Sequence, residues 1–279
     1  MAQTHQDLVS TDWLQQQMGD HYLRIVDCRW VLGQPGEGHR LYEEGHITGA
    51  LHLDVDDHLS GKEGPGRHPI PNKRDFENIL SEMGIAREHH VVAYDDGQGA
   101  PAARLWWLMK FFGHDNVSVL DGGWNLWTKE GRATEREMRR YISQKFFARA
   151  KHVMTVDMEG MDTFRTEPDV VVIDARAPER YRGEVEPIDA RAGHIPGAEN
   201  FFFKLCLDPA TGKFLPPAKL KALFQELGVS KDKTVISYCG SGITACTNVF
   251  ALKLAGFNSK LYEGSWSEWS KDSQKPLAK

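Results

Sequence analysis

Residues 173–201 read IDARAPERYRGEVEPIDARAGHIPGAENF, and residues 25–54 read IVDCRWVLGQPGEGHRLYEEGHITGALHLD. Both run from an apolar stretch into Asp-x-Arg, through a charged segment, to Gly-His-Ile-x-Gly-Ala and a second apolar segment. The likeness continues downstream. HVVAYD at 90–95 parallels TVISYC at 234–239, and VSVLDGGW at 117–124 parallels KLYEGSW at 260–266. Two repeats of about 145 residues are too long and too few for a solenoid and indicate a duplicated globular domain.

Within each half, short β-rich runs alternate with helical patterns. The expected strands are 23–27, 90–94, 117–120, 170–174, 234–238 and 260–262, apolar along their length as in parallel sheets covered on both faces. The expected helices are 73–83, 102–112, 217–227 and 243–255, each followed by a glycine stop at Gly84, Gly113, Gly228 or Gly256. Each half therefore reads as an α/β unit with a mainly parallel central sheet flanked by helices. The polar segment around 130–151 reads as a linker, which sets the expected boundaries at 1–135, 136–152 and 153–279.

The composition is that of an ordinary globular protein. Of 279 residues, 41% are hydrophobic and 26% charged, enough for two cores. The net charge of −5 carries no long run of one sign, so nothing points to nucleic acid. No apolar stretch is long enough for a signal peptide or a membrane span, and the expectation is a cytoplasmic protein without a membrane partner. The four cysteines, Cys28, Cys206, Cys239 and Cys246, lack zinc spacing, and the twelve histidines are scattered. No metal is expected.

The chemistry concentrates in 235–245, VISYCGSGITA. A buried strand ends at Tyr238, Cys239 follows at once, and a glycine-flanked loop leads into an apolar helix. That puts Cys239 at the carboxyl end of a sheet strand, where open α/β sheets build their sites. The loop Gly240, Ser241, Gly242, Ile243, Thr244 and Ala245 can turn successive N–H groups inward, and the next helix adds its own free N–H groups. Such a cradle favours a thiolate, and equally a persulfide anion. A cysteine phosphatase has the same outline, but it needs an arginine six positions after the cysteine to clamp phosphate. Here that position is Ala245, and the loop carries no charge. Cys28, Cys206 and Cys246 read as structural.

With the repeat and the loop together, the chain resembles the tandem rhodanese family. The likeness runs from about Leu8 to Trp269. It is carried by Gly-His-Ile-Pro-Gly-Ala at 193–198, Cys-Gly-Ser-Gly-Ile-Thr-Ala at 239–245 and Gly-Ser-Trp-Ser-Glu-Trp at 264–269. The resemblance implies two tandem rhodanese-like domains, the first without a nucleophile, and Asp95 stands at that half's cysteine position. The neutral loop is similar to that of the family's 3-mercaptopyruvate enzymes, with Ile243 for valine, whereas the thiosulfate enzymes tend to carry basic residues there. The resemblance further implies a relay of Ser241, His68 and Asp56, with His58 and Asp54 as nearby competitors. It implies donor binding by Arg104, in APAARLWW, and by Arg182, in RYRGE. A further family arginine is replaced by Ile188, and Arg191 is the candidate substitute.

The expected reaction is transfer of sulfane sulfur from 3-mercaptopyruvate, with thiosulfate as the alternative donor, through a persulfide on Cys239. A thiol such as thioredoxin, a small thiol or cyanide would accept it in a ping-pong cycle without a cofactor. A non-catalytic, partner-binding module would be the reading had Cys239 been lost, as the nucleophile was in the first half.

Overall fold

A computed structural model describes residues 6–279. The chain forms two compact units. One holds the residues up to Gly61, Pro71–Lys151 and Asp208–Phe214; the other holds Lys62–Ile70, His152–Leu207 and Leu215–Lys279. The first unit runs β1 (Leu8–Val9), α1 (Thr11–Gln17), β2 (Leu23–Asp27), α2 (Glu37–Glu44), β3 (His46–Ile47), β4 (Ala50–His52), α3 (Lys73–Glu82), β5 (His90–Tyr94), α4 (Ala100–Phe111), β6 (Val117–Leu120), α5 (Gly123–Lys129) and β7 (Thr134–Glu135). The second runs β8 (Thr155–Val156), α6 (Met158–Phe164), β9 (Val170–Asp174), α7 (Pro178–Tyr181), β10 (Ala198–Asn200), α8 (Pro217–Glu226), β11 (Thr234–Tyr238), α9 (Thr244–Leu254), β12 (Lys260–Tyr262) and α10 (Ser265–Trp269).

The duplication is visible in the sheets. The first unit's order is β1-β6-β5-β2-β4 and the second's is β8-β12-β11-β9-β10, all parallel in both. The central strands β2, β5, β9 and β11 are buried almost throughout, which is why they read as mainly apolar runs. Helices α4 and α9, each directly after the third-position strand, are buried nearly all round and therefore show no polar face. They anchor the loops that precede them.

The two sequence motifs that announced the repeat are a scaffold. In each half a buried Asp-x-Arg forms a tight ion pair, Asp27–Arg29 and Asp174–Arg176, both at 2.6 Å. The same guanidinium donates to the carbonyl of the motif glycine, Gly45 at 2.6 Å and Gly193 at 2.7 Å. The motif histidine bonds a tyrosine carbonyl, His46 to Tyr42 and His194 to Tyr181, both at 2.8 Å. The motif isoleucine amide donates to a strand tyrosine hydroxyl, Ile47 to Tyr94 and Ile195 to Tyr238. Buried charges survive only when paired and fully bonded, so the whole set is kept together.

The unit boundaries depart from the composition-based ones in three places. The expected linker folds onto the first unit through Lys151: Phe146 and Ala148 are buried, and Gln144, Arg149 and Lys151 donate their amides to Ser81, Phe112 and Phe111. Its polar side chains conceal a segment held by backbone bonds. Residues 62–70 belong to the second unit, where the Arg67 amide donates to Ser267 Oγ at 2.9 Å. Residues 208–214 belong to the first, where the Phe214 amide donates to Asp121 at 2.8 Å. Among the described residues no helix is long and apolar enough to cross a membrane.

Candidate active site

Cys239 follows β11 directly and is 2% exposed. The Gly242 amide donates to its Sγ at 3.1 Å. Gly242 can do so because it takes a left-handed backbone, φ +83°, that other residues adopt only under strain. Three bonds from the α10 segment fix the loop's own backbone. The Cys239 amide donates to Ser265 Oγ at 3.2 Å, the Trp266 amide to the Cys239 carbonyl at 2.9 Å, and the Ser267 amide to the Gly240 carbonyl at 2.8 Å. These bonds occupy the Cys239 and Gly240 carbonyls, and the Gly242 amide reaches the sulfur.

Ser241 Oγ lies 2.7 Å from His68 Nδ1, and both residues are buried. The 62–70 segment thus delivers an imidazole to the loop hydroxyl within the second unit. His58 is engaged elsewhere: its Nδ1 accepts the Asp54 amide at 2.9 Å, burial pushes its pKa down, and Asp54 Oδ1 in turn accepts the Asp56 amide. Asp56 lies in the first unit and accepts from Trp30 Nε1 at 2.7 Å. Arg104, also in the first unit, is fully buried on α4, with Nε 3.3 Å from the Leu59 carbonyl.

Two of the three expected arginines, Arg182 and Arg191, have other partners in the second unit. Arg182 is exposed and paired with Glu184 at 2.7 Å. Arg191 spends its donors on the carbonyls of Trp269, Ser270, Asp272 and Lys275, tying down the chain's last turn. Arg180 and Arg67 stand at the loop instead. A Cβ placed on Gly240 would lie 3.2 Å from Arg67 Nη2 and 3.5 Å from Arg180 Nη1, so both guanidinium groups reach this residue. Arg180 lies on the one-turn helix α7 and Arg182 caps it two positions on, and such positions do not share a face. Both arginines stand in the Arg-Tyr-Arg-Gly-Glu stretch, and no local pattern tells one from the other. Arg67 carried no signal, because its segment is an aperiodic glycine-rich loop.

Both guanidinium groups are held by Asp189. Arg67 Nη1 donates to its Oδ1 at 2.6 Å and Arg180 Nη2 to its Oδ2 at 2.9 Å. Arg180 also reaches Glu186 at 2.7 Å, and Glu186 touches Arg176 at 3.3 Å. Burial works against charge on Glu186, but the Asp189 amide and Arg180 outweigh it and hold its carboxyl below the usual range.

The first unit keeps the same cradle with a carboxylate inside. Asp95 follows β5 as Cys239 follows β11, and it accepts the amides of Gly97, Gly99 and Ala102 at 2.8, 3.0 and 3.2 Å. Its carbonyl accepts the Trp124 amide at 2.7 Å, the counterpart of Trp266. Burial, reinforced by Asp96, pushes its pKa up to about 6 against those amides. Of the other cysteines, Cys206 sits beside Asn248 with its thiol pushed up by burial, Cys28 is likewise raised by burial, and Cys246 donates to the Gly242 carbonyl at 3.2 Å.

The rhodanese-like domain matches the chain twice, over residues 10–130 and 159–272. The chain belongs to the rhodanese family. It is 41% identical to a probable 3-mercaptopyruvate sulfurtransferase of Pseudomonas aeruginosa over 97% of both chains. It is 37% identical to a putative thiosulfate sulfurtransferase of Mycobacterium tuberculosis over 94% of this chain and 93% of the other. Its fold superposes on the crystal structure of SseA from Escherichia coli with a TM-score of 0.84 at 32% identity, covering 94% of this chain and 99% of that one. The fold is two tandem rhodanese-like domains, each with a parallel central sheet flanked by helices.

Proposed function

We propose that this rhodanese-family sulfurtransferase takes sulfur from 3-mercaptopyruvate onto Cys239 and passes it to a thiol or to cyanide. The observation that carries the reading is the Gly242 amide on Cys239 Sγ beside a Ser241–His68 pair. The Cys239 thiolate attacks the donor sulfur, a sulfur–sulfur bond forms, and the donor's carbon–sulfur bond breaks. The electron pair stays on carbon as pyruvate enolate. Ser241, backed by His68, moves the proton that the donor thiol gives up to that carbon, leaving pyruvate and an anionic persulfide. Arg180 holds the donor carboxylate, for which a planar guanidinium is suited. The loop amides hold the persulfide, and an acceptor thiolate or cyanide attacks its outer sulfur, returning the Cys239 thiolate.

Thiosulfate is the second reading, favoured by the name of the Mycobacterium tuberculosis relative and by the two arginines at Gly240. The neutral loop argues for the monoanionic donor. The test is kcat/KM for both donors side by side, with mass spectrometry after donor treatment. One added sulfur on the Cys239 peptide and a higher value for mercaptopyruvate are expected. Sulfur on Cys28 or Cys206 instead would remove the mechanism, and a faster reaction with thiosulfate would remove the donor assignment.

A further inference from the structure

Arg67 reaches Gly240 from the 62–70 segment, which is tied into the second unit by residues far away in sequence. Its amide is tied to Ser267 and its Nη1 to Asp189. Its Nε is buried and has no partner among the described residues, and the same holds for Arg180 Nε. A buried guanidinium N–H without an acceptor is costly, and two guanidinium groups that both reach Gly240 and each keep one such N–H are the donor set of an anion site. Asp189 is nearly fully buried between the two groups, with 3% of its side chain exposed. Three arginines, Arg67, Arg176 and Arg180, therefore meet three carboxylates, Asp174, Glu186 and Asp189, in one connected network. The network offers many N–H donors at zero net charge.

We infer that Arg67 is the second donor-binding guanidinium of this enzyme, and that Asp189, by sharing its charge between Arg67 and Arg180, sets the site for singly charged sulfur donors. The inference rests on the sulfurtransferase reading above and names the residues that set its donor class. Geometry puts both guanidinium groups beside Gly240, the residue after the nucleophile, so a donor whose sulfur meets Cys239 has its anionic end near them. A carboxylate of charge −1 takes two forked donors there without needing a net positive site. Thiosulfate brings one more negative charge against the same neutral network and is held less well. Position 188 carries an isoleucine, half-exposed, on the same loop as Asp189, so no guanidinium comes from there.

The test combines a charge probe with donor kinetics on the full-length chain. Cys239 is alkylated by iodoacetate, an anion, and by iodoacetamide, its neutral analogue, and the ratio of the two rates reads the local potential without any donor. Asp189→Asn should raise that ratio, Arg67→Gln should lower it, each by about threefold or more for a unit charge at this range in partly screened surroundings. Arg67→Lys, which restores the charge without the fork, should restore the ratio while leaving KM for mercaptopyruvate elevated. In kinetics, Asp189→Asn should shift the ratio of kcat/KM toward thiosulfate by about fivefold or more, and Arg67→Gln should raise KM more than it lowers kcat. Unmoved alkylation ratios in both variants, or equal changes for the two donors, would overturn the inference. If Asp189→Asn does not fold, Arg67→Gln against Arg67→Lys decides alone. A wild-type chain that takes sulfur from neither donor defeats the sulfurtransferase reading instead, and the alkylation ratios still answer for Arg67 and Asp189.

Discussion

Ser265 holds Cys239 by its backbone: Ser265 Oγ accepts the Cys239 amide at 3.2 Å from a residue fully buried at φ +53°. It is the one non-glycine residue with positive φ among the described residues. In the first unit the same place is Gly123, at φ +54°, where an added Cβ would lie 2.3 Å from the Asp95 carbonyl. The half that holds Cys239 thus carries a strained serine where the half that holds Asp95 carries an unstrained glycine. A left-handed residue with a side chain costs about 1 kcal/mol or more. The compensation is a hydrogen-bond partner for the amide of the buried Cys239.

That contrast separates two substitutions. Ser265→Ala keeps the strain and loses the acceptor, and should lower unfolding free energy by about 1–3 kcal/mol. Ser265→Gly loses the acceptor but releases the strain, and should cost about 1 kcal/mol less than alanine. Both should lower kcat, by roughly tenfold, because the nucleophile's peptide is no longer fixed. Urea unfolding and steady-state kinetics on the same samples check this. Equal stability for the two variants would show that the backbone at 265 stores no strain.

The Ser241–His68 pair should matter for one donor more than the other. Sulfite leaves thiosulfate as a stable anion, whereas the carbon of mercaptopyruvate must take a proton. Ser241→Ala should therefore reduce kcat with mercaptopyruvate by about 10²-fold and with thiosulfate by much less. His68→Ala should show the same selectivity, and the double variant should be little worse than either single one, because the two act as a unit. Equal losses for both donors would leave Ser241 as a loop-shaping residue only.

Much of this was readable in advance, and the exceptions have physical causes. Strands β2, β5, β6, β9, β11 and β12 fall where the sequence places them, because strands buried on both faces are mostly apolar and their few polar residues, such as Asp27 and Asp174, are bonded. The short outer strands β1, β4, β8 and β10, two or three residues each, are too brief to show any pattern. The Cys239 loop stood out because glycine spacing after a strand is a local signal. The Arg67–Asp189 pair spans 122 residues, and nothing local in either segment announces the other. Arg191 shows the converse: its context looked functional, but its donors go to four backbone carbonyls of the chain's end.

Asp95 makes a prediction about pH. Its folded pKa is raised to about 6, above the ordinary value of about 3.9 for an unfolded aspartate. Below about pH 4 it is protonated in both states and does not oppose folding. As pH rises from about 4 to about 6 the unfolded chain ionises first, so stability is lost across that window, by roughly 2–3 kcal/mol in full. Asp95→Asn removes the titration and keeps an acceptor for the loop amides. The stability of the variant minus that of the wild type should therefore be more favourable at pH 7 than at pH 4. A difference that does not change with pH would mean that the amides of Gly97, Gly99 and Ala102 cancel the cost of burial.

Cys239 and Cys246 meet the same residue from opposite sides, which makes them a fair pair to compare. The Gly242 amide donates to Cys239 Sγ, and Cys246 Sγ donates to the Gly242 carbonyl. Cys239→Ser removes the atom that bonds sulfur, and its hydroxyl is not a nucleophile of comparable strength at neutral pH. Transfer should be abolished while the fold is retained, since a hydroxyl accepts the Gly242 amide as well as sulfur does. Cys246→Ser preserves a donor to the Gly242 carbonyl within one helical turn, the back-bond typical of serine in helices. Most of the activity should survive. Cys246→Val keeps the bulk and removes the donor, so it should fall between the two, by freeing the Gly242 peptide to tilt and weaken the bond to Cys239. Activity assays together with circular dichroism order the three. If Cys246→Ser were as inactive as Cys239→Ser with its fold intact, the assignment of the nucleophile to Cys239 alone would be lost.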